Sequence, residues 1–432
     1  MERKQEIRAR AGGRSPDEDE AGLAGRVQGR WMQGQEICPA LVVRRRLDPA
    51  RARRLAFVVC LILIQIPWTL LFAGPATAFG TIDGGGQHRE HERITRAALS
   101  CAGTTPPRGE CFADRSMDQL AGRGRGFGAV GAPDSDEIGN PAAHCDDADF
   151  LANGYPRTRV QATAQLTGCV DHLRTRFREA IVSAGELLDD KGRVLRDEVI
   201  LDSDCRLFDN NEGRAKCKSI EGLGRALHGA QDFYAHSNWA DEADPTRPVG
   251  ADNPPGLNRP GPSVLLDLRE KSAVRVPADL TTGCFVLRDE IPGIGECLDR
   301  VTHAALNKDN GLIDPLSGVA IEPTTPRGAV RQNFAKAVTA AITETRRQWH
   351  DFRAELSARY GEDRAARMIC AITRDNPVDE CNGPTGLTGD SMDDRGAGLV
   401  IAILAVVGLT VVAAVLIMRA SRRSHGQARG SD

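Results

Sequence analysis

Leu223-Gly-Arg-Ala-Leu-His-Gly-Ala-Gln-Asp-Phe-Tyr-Ala-His-Ser-Asn-Trp239 is the stretch on which the reading of the whole chain turns. Its His228, Asp232 and His236 stand four residues apart. On a helix each step of four turns by about 40° and climbs about 6 Å, so the three side chains form one ridge on one face. Leu223, Leu227 and Phe233 give the helix a separate apolar side, which leaves the ridge free of packing duty. Two imidazoles and a carboxylate are ligand types that zinc takes. A ridge of about 12 Å is too long for one ion to be held by all three, and suits a cluster of ions with Asp232 as a bridge. The plainer reading is an amphipathic helix with two ordinary histidines. Further His and Asp residues in helix-like settings on both sides weigh against it.

The 432 residues carry 56 basic and 59 acidic side chains, so charge makes no argument for a nucleic-acid partner. Aromatics are 4% of the chain and Ala, Arg and Gly are abundant, which favours an all-α class over an all-β one. Two apolar runs set the expected topology. The first, Leu55 to Ala73, follows an Arg-rich flank and ends in Ala76-Thr77-Ala78, the small-x-small form of a signal-peptidase site. Residues 55–78 are therefore expected to be a signal peptide, with an uncleaved anchor as the alternative. Residues 1–54 read as a disordered basic and acidic cytoplasmic leader, in which Met32 offers a second start. The second run, Ala397 to Met418, carries no charge and is long enough for a transmembrane helix. Arg419, Arg422 and Arg423 follow it and place the tail, 419–432, in the cytoplasm. The domain at 79–382 and the polar linker at 383–396 are then expected on the far side of the cell membrane.

Cysteine usage agrees with export. Ten of the twelve cysteines lie beyond Cys38 and Cys60. Cys101 with Cys111, Cys205 with Cys217, Cys284 with Cys297, and Cys370 with Cys381 form close pairs, leaving Cys145 and Cys169 for each other. No C-x2-C zinc pattern occurs, so five disulfides are expected.

Apolar periodicity predicts helices over 88–99, 159–190, 298–307 and 329–360, and a short one over 365–373. Residues 103–131 read as loop with at most short helices. The Pro-rich stretch 241–277 reads as a long irregular excursion. Asp134, Asp136 and the acids around His144 are either capping residues or ligands. His172 reads as structural, and Tyr234 and Trp239 as packing residues or a substrate rim. No phosphate-cradling Gly loop and no Ser or Cys nucleophile motif is present.

Leu227-His-Gly-Ala-Gln-Asp-Phe-Tyr-Ala-His-Ser-Asn-Trp239 resembles the central motif of the zinc-dependent phospholipase C and single-strand nuclease superfamily, nearest in wording to the branch of fungal heterokaryon-incompatibility C proteins and bacterial CinY-like proteins. Glu90-His-Glu-Arg-Ile-Thr-Arg-Ala-Ala-Leu99 resembles the opening helix of that branch, and Thr302-His-Ala-Ala-Leu-Asn-Lys-Asp309 a later element. The resemblance implies an all-α, multi-helix phospholipase C-like domain whose multi-zinc cluster cleaves phosphodiesters. By position it implies metal ligands at His91 (His88 is the poorer match), Asp134 or Asp136, His144, His228, Asp232, His236 and His303. It further implies that the amino group of a mature chain beginning at Phe79 would bind zinc. Asp134 or Asp136 would also orient the attacking water. The chain departs from the family in setting Asp232 and His236 only four apart. It also has Asn307 where an acid is expected one turn after the last His, with Asp309 two further on; one ion position is therefore expected to be weak. A membrane tether makes phospholipid the expected substrate. The alternative is a non-catalytic, metal-stabilised surface or interaction protein of the cell envelope.

Overall fold

The computed structural model describes residues 79–382, apart from 85, 105–110, 125, 153, 208–212, 270–273 and 286–296. The expected leader, signal peptide, linker, transmembrane run and cytoplasmic tail all lie outside the described residues. Among those described, no helix is long and apolar enough to cross a membrane.

The described chain is mainly helical, with two short antiparallel hairpins. Six longer helices carry it: α1 (Glu90–Leu99), α2 (Asp114–Ala121), α3 (Arg159–Gly185), α4 (Ala215–His236), α5 (Asn333–Tyr360) and α6 (Glu362–Thr373). Single helical turns at Gly128–Gly131, Pro133–Asp136, Pro141–His144 and His303–Leu306 link them. The hairpins pair Asp83–Gly84 with Gln87–His88, and Leu312–Ile313 with Ala320–Ile321.

Local chemistry explains the boundaries. Thr158 begins α3 with a capping box: its hydroxyl accepts from the Gln161 N–H, and the Gln161 side chain reaches back to the Thr158 N–H. Gly361, at φ 80°, ends α5 where a residue with a Cβ would be strained. The predicted helix at 159–190 stops at Gly185, because Leu188 and Val194 form a bridge around a turn. The predicted helix at 298–307 is reduced to His303–Leu306. Residues just before it run extended against Cys284, whose N–H donates to Val301 O and whose carbonyl accepts from the His303 N–H. The stretch 103–131, read as loop with at most short helices, contains the eight-residue α2 and the turn at Gly128–Gly131.

α4 is the hub. It packs on α3, α5 and the turns at Gly128–Gly131 and Pro141–His144, and every residue from Ala215 to His236 except Lys218 is buried. Glycine makes this possible. A Cβ on Gly224 would stand 2.4 Å from Ala129 Cβ, and one on Gly229 would stand 2.4 Å from Ala143 O. Gly costs a helix about 1 kcal/mol relative to Ala; here it lets the turns carrying Val130 and His144 touch the helix backbone. Phe177, Leu223, Leu227, Phe233, Trp349 and Phe352 belong to one apolar core around α4. Tyr234 and Trp239 are packing residues, not a rim. The Tyr234 hydroxyl donates to Glu344 at 2.8 Å, and Trp239 is 5% exposed.

Five disulfides join Cys101 to Cys111, Cys145 to Cys169, Cys205 to Cys217, Cys284 to Cys297 and Cys370 to Cys381. This is the pairing the spacing suggested.

Candidate metal centre

The polar ridge of α4 faces inward, onto side chains brought from four other segments. Asp232 lies at the middle. Its Oδ1 is 3.1 Å from His91 Nε2, and its Oδ2 is 3.0 Å from both His144 Nδ1 and His228 Nε2. Asp134 stands above this group, with Oδ1 3.6 Å from His228 Nε2 and 3.8 Å from His144 Nδ1. One turn along α4, His236 anchors a second group. Its Nδ1 is 3.1 Å from Asp146 Oδ1 and its Nε2 is 3.2 Å from Asp309 Oδ1, while His303 Nε2 lies 3.6 Å from Asp309 Oδ2. The His236 and His303 rings meet edge to face at 4.3 Å.

The outer nitrogens of the first group are spoken for. His228 Nδ1 donates to Val130 O at 2.8 Å, and His144 Nε2 donates to Glu137 O at 3.3 Å. His91 Nδ1 donates to Gln231 Oε1 at 2.7 Å; the Gln231 amide faces that way because its Nε2 donates to Thr95 and Thr345. Each of these contacts turns the remaining ring nitrogen towards Asp232. Outer-sphere hydrogen bonds of this kind orient metal-bound imidazoles.

The buried charges of the centre shift its histidines in both directions. Burial favours neutral histidine, yet the Asp232 charge and hydrogen bond push His144 up to about 9 and raise His91. At His236 the charges of Asp146 and Asp309 likewise overcome burial and raise it. His228 and His303 are lowered, first by burial and then against the charge of a neighbouring His, namely His91 and His236 respectively. Burial works against ionised Asp232, but the surrounding histidines hold it well below the usual carboxylate range.

The fit to metal can be tested on the atoms themselves. His91 Nε2 with Asp232 Oδ1, and His236 Nδ1 with Asp146 Oδ1, are buried and meet only each other, both at 3.1 Å, while the buried Asp134 Oδ2 and His303 Nδ1 have no hydrogen-bond partner. A buried polar atom left unpaired costs about 1–3 kcal/mol, so this crowding of imidazoles and carboxylates with so few outside partners requires an explanation. Their nitrogen and carboxylate lone pairs converge. Three sets (His91, Asp134 and His228; His144, His228 and Asp232; Asp146, His236 and His303) each place donor atoms within 4.8 Å of one another. These residues fit one or more metal ions. A further acidic set, Asp147, Asp149 and Cys284, does not: Cys284 is in a disulfide, and Arg157, Arg300 and Tyr155 already bind Asp149.

Of the residues singled out in the sequence, His91, Asp134, His144, His228, Asp232, His236 and His303 meet here. Asp136 does not. Two residues on from Asp134, it turns to the opposite side and takes both terminal nitrogens of Arg225, at 2.6 and 2.9 Å. His88 is half-exposed beside Asp83, and His172 pairs with Glu137 at 3.2 Å. Asp146, one of the acids around His144 left open between cap and ligand, and Asp309, noted only as the acid two beyond Asn307, join the centre without having been assigned to it. Asn307 is no gap in the centre: its side-chain oxygen accepts from the Asp309 N–H at 2.8 Å, shaping the turn that carries the Asp309 carboxylate inward. The acid two beyond Asn307 was the available signal. Phe79 also reaches the site, fully buried, with its ring edge-on to His91 at 5.8 Å.

No protein-family model matches the chain, and neither the curated proteins nor the solved structures contain a significant match to it.

Proposed function

We propose that residues 79–382 form an extracytoplasmic, zinc-dependent phosphodiester hydrolase of the phospholipase C-like kind, held at a membrane by 397–418, with phospholipid as its substrate class. The observation that carries the proposal is the convergence of buried imidazole and carboxylate atoms around Asp232 and His236, in three sets whose donor atoms lie within 4.8 Å of one another. His91, Asp134, His144, His228 and Asp232 would hold one part of the ion cluster, and Asp146, His236, His303 and Asp309 the other. Zinc, when bound, lowers the pKa of water towards about 7 and stabilises charge on phosphoryl oxygens. Asp134 is the carboxylate that orients the attacking water and takes its proton, since at 9% side-chain exposure it is the most accessible acid of the first group. Val130 O, Glu137 O and Gln231 keep the imidazoles aimed. If the leader is removed after Ala78, the new amino group at Phe79 joins the donors.

The depth of the centre supports a second reading. His91, His228 and Asp232 side chains are 0% exposed, and closed coordination characterises structural zinc. In that reading the ions only hold helices together in a non-catalytic envelope protein.

The test is metal content of the full chain, purified in detergent without chelator, followed by hydrolysis of phosphatidylcholine vesicles and of single-stranded DNA. We expect at least two zinc ions per chain, one for each half of the centre, and zinc-dependent release of a phosphorylated headgroup. The His228→Ala/Asp232→Ala variant should contain none. Zinc without hydrolysis would leave the structural reading, and a zinc-free wild type would sink both.

A further inference from the structure

His144 and Asp146 are two residues apart, yet they serve different halves of the centre. His144 faces Asp232 and His228, whereas Asp146 faces His236. Sending neighbours i and i+2 into separate positions needs an abrupt backbone. The chain supplies it with two left-handed residues, Cys145 at φ 57° and Asp147 at φ 62°. Neither is glycine, so neither conformation is intrinsically favoured; each persists only where the surroundings impose it. The fully buried Cys145 is bonded to Cys169 on α3. Beyond that bond, the turn is held by Asp146 N–H donating to Pro141 O at 3.0 Å and Asp147 N–H donating to Gly283 O at 2.8 Å. Cys370–Cys381 instead ties α6 to the short helix after it, and neither cysteine adjoins a residue of the centre.

Resting on the metal-binding reading above, we infer that the Cys145–Cys169 disulfide is a positioning element of the centre. It fixes the spacing of the two halves by clamping the one residue between His144 and Asp146, so the half containing Asp146 and His236 fills only in the disulfide-bonded chain.

The experiment compares the full chain with Cys145→Ala/Cys169→Ala and with Cys370→Ala/Cys381→Ala. Zinc per chain is measured by mass spectrometry, and transfer of zinc to a chromogenic chelator is followed in time. The first variant should lose at least one ion and release the remainder at least tenfold faster. The second should lose thermal stability but keep wild-type zinc content and release. Because the alanine variant risks misfolding, Cys145→Gly/Cys169→Ala is included: glycine accepts the left-handed backbone without strain, while the tether stays cut. With its helical circular dichroism intact, this variant should still be short of zinc. Full zinc content and wild-type release in either cut variant would overturn the inference while leaving the metal reading standing. A wild type without zinc would remove the premise and the inference together.

Discussion

Asp134 and Asp136 share one helical turn and meet opposite fates. Asp134 enters the centre; Asp136 is bound by Arg225, whose side chain is 4% exposed and also holds Glu137 and Glu221. Asp136→Asn should leave zinc content unchanged and lower unfolding free energy by about 2–3 kcal/mol, the cost of stripping one charge from a largely buried ion pair. Asp134→Asn should do the reverse, leaving urea unfolding of the zinc-free protein nearly unchanged while abolishing hydrolysis. Identical behaviour of the two variants would refute the assignment. Sequence could not separate them, because the deciding partner, Arg225, lies on a helix brought alongside only by folding. The histidines were legible because helical spacing and motif wording single them out. Asp146 and Asp309 were not, because a left-handed residue and a side-chain-capped turn aim them, and neither leaves a periodic trace.

At the scale of elements, α4 binds its neighbours through glycines. Gly229→Ala improves helix propensity by about 1 kcal/mol, yet its methyl would collide with Ala143 O, next to His144, and press on Leu173. The expected outcome is a lower melting temperature and weakened zinc retention. Gly168→Ala on α3 is the counterpart. Nothing lies within 4 Å of the new methyl, so stability should rise by about 1 kcal/mol with zinc unaffected. Thermal melts of the two zinc-loaded variants decide the matter, and a stabilised Gly229→Ala would contradict the close-packing argument. Long helices were readable because amphipathic periods survive tertiary context. α2 was hidden by the Gly-, Arg- and Pro-rich sequence around it, and the shortened segment before His303 by a non-local bridge to Cys284.

For the molecule as a whole, the centre is not the only buried charge. Lys216 is 0% exposed at the start of α4, with Nζ donating to Ser116 Oγ at 2.9 Å and to Arg374 O at 2.6 Å. Burial, only partly offset by the charges of Asp375 and Glu380, lowers its pKa from 10.5 to about 7. Between those values the folded chain has released a proton that the unfolded chain still holds. Stability contributed at this position therefore rises with pH from about 7 to 10.5 and is level below and above. Measured against Lys216→Met, wild-type unfolding free energy should climb with pH across that window, at up to about 1.4 kcal/mol per pH unit. A difference independent of pH would show that the ammonium stays charged inside the fold. Tyr234, Glu344 and Gln348 form a comparable buried polar seam between α4 and α5. These inner polar groups went unread because the apolar pattern marks which face is inward but not which polar groups follow it there.

The side chains of the centre are drawn from His91 through Asp309, more than two thirds of the span from 79 to 382. No fragment that stops short of Asp309 contains all of it, and during synthesis the last contributing turn emerges long after the first. On the proposed reading of an exported zinc protein, a polypeptide crossing the membrane unfolded would thus arrive without its ions. It would be loaded from whatever supply exists where folding finishes, so scarcity of zinc in that compartment, rather than in the cytoplasm, would limit the amount of mature protein.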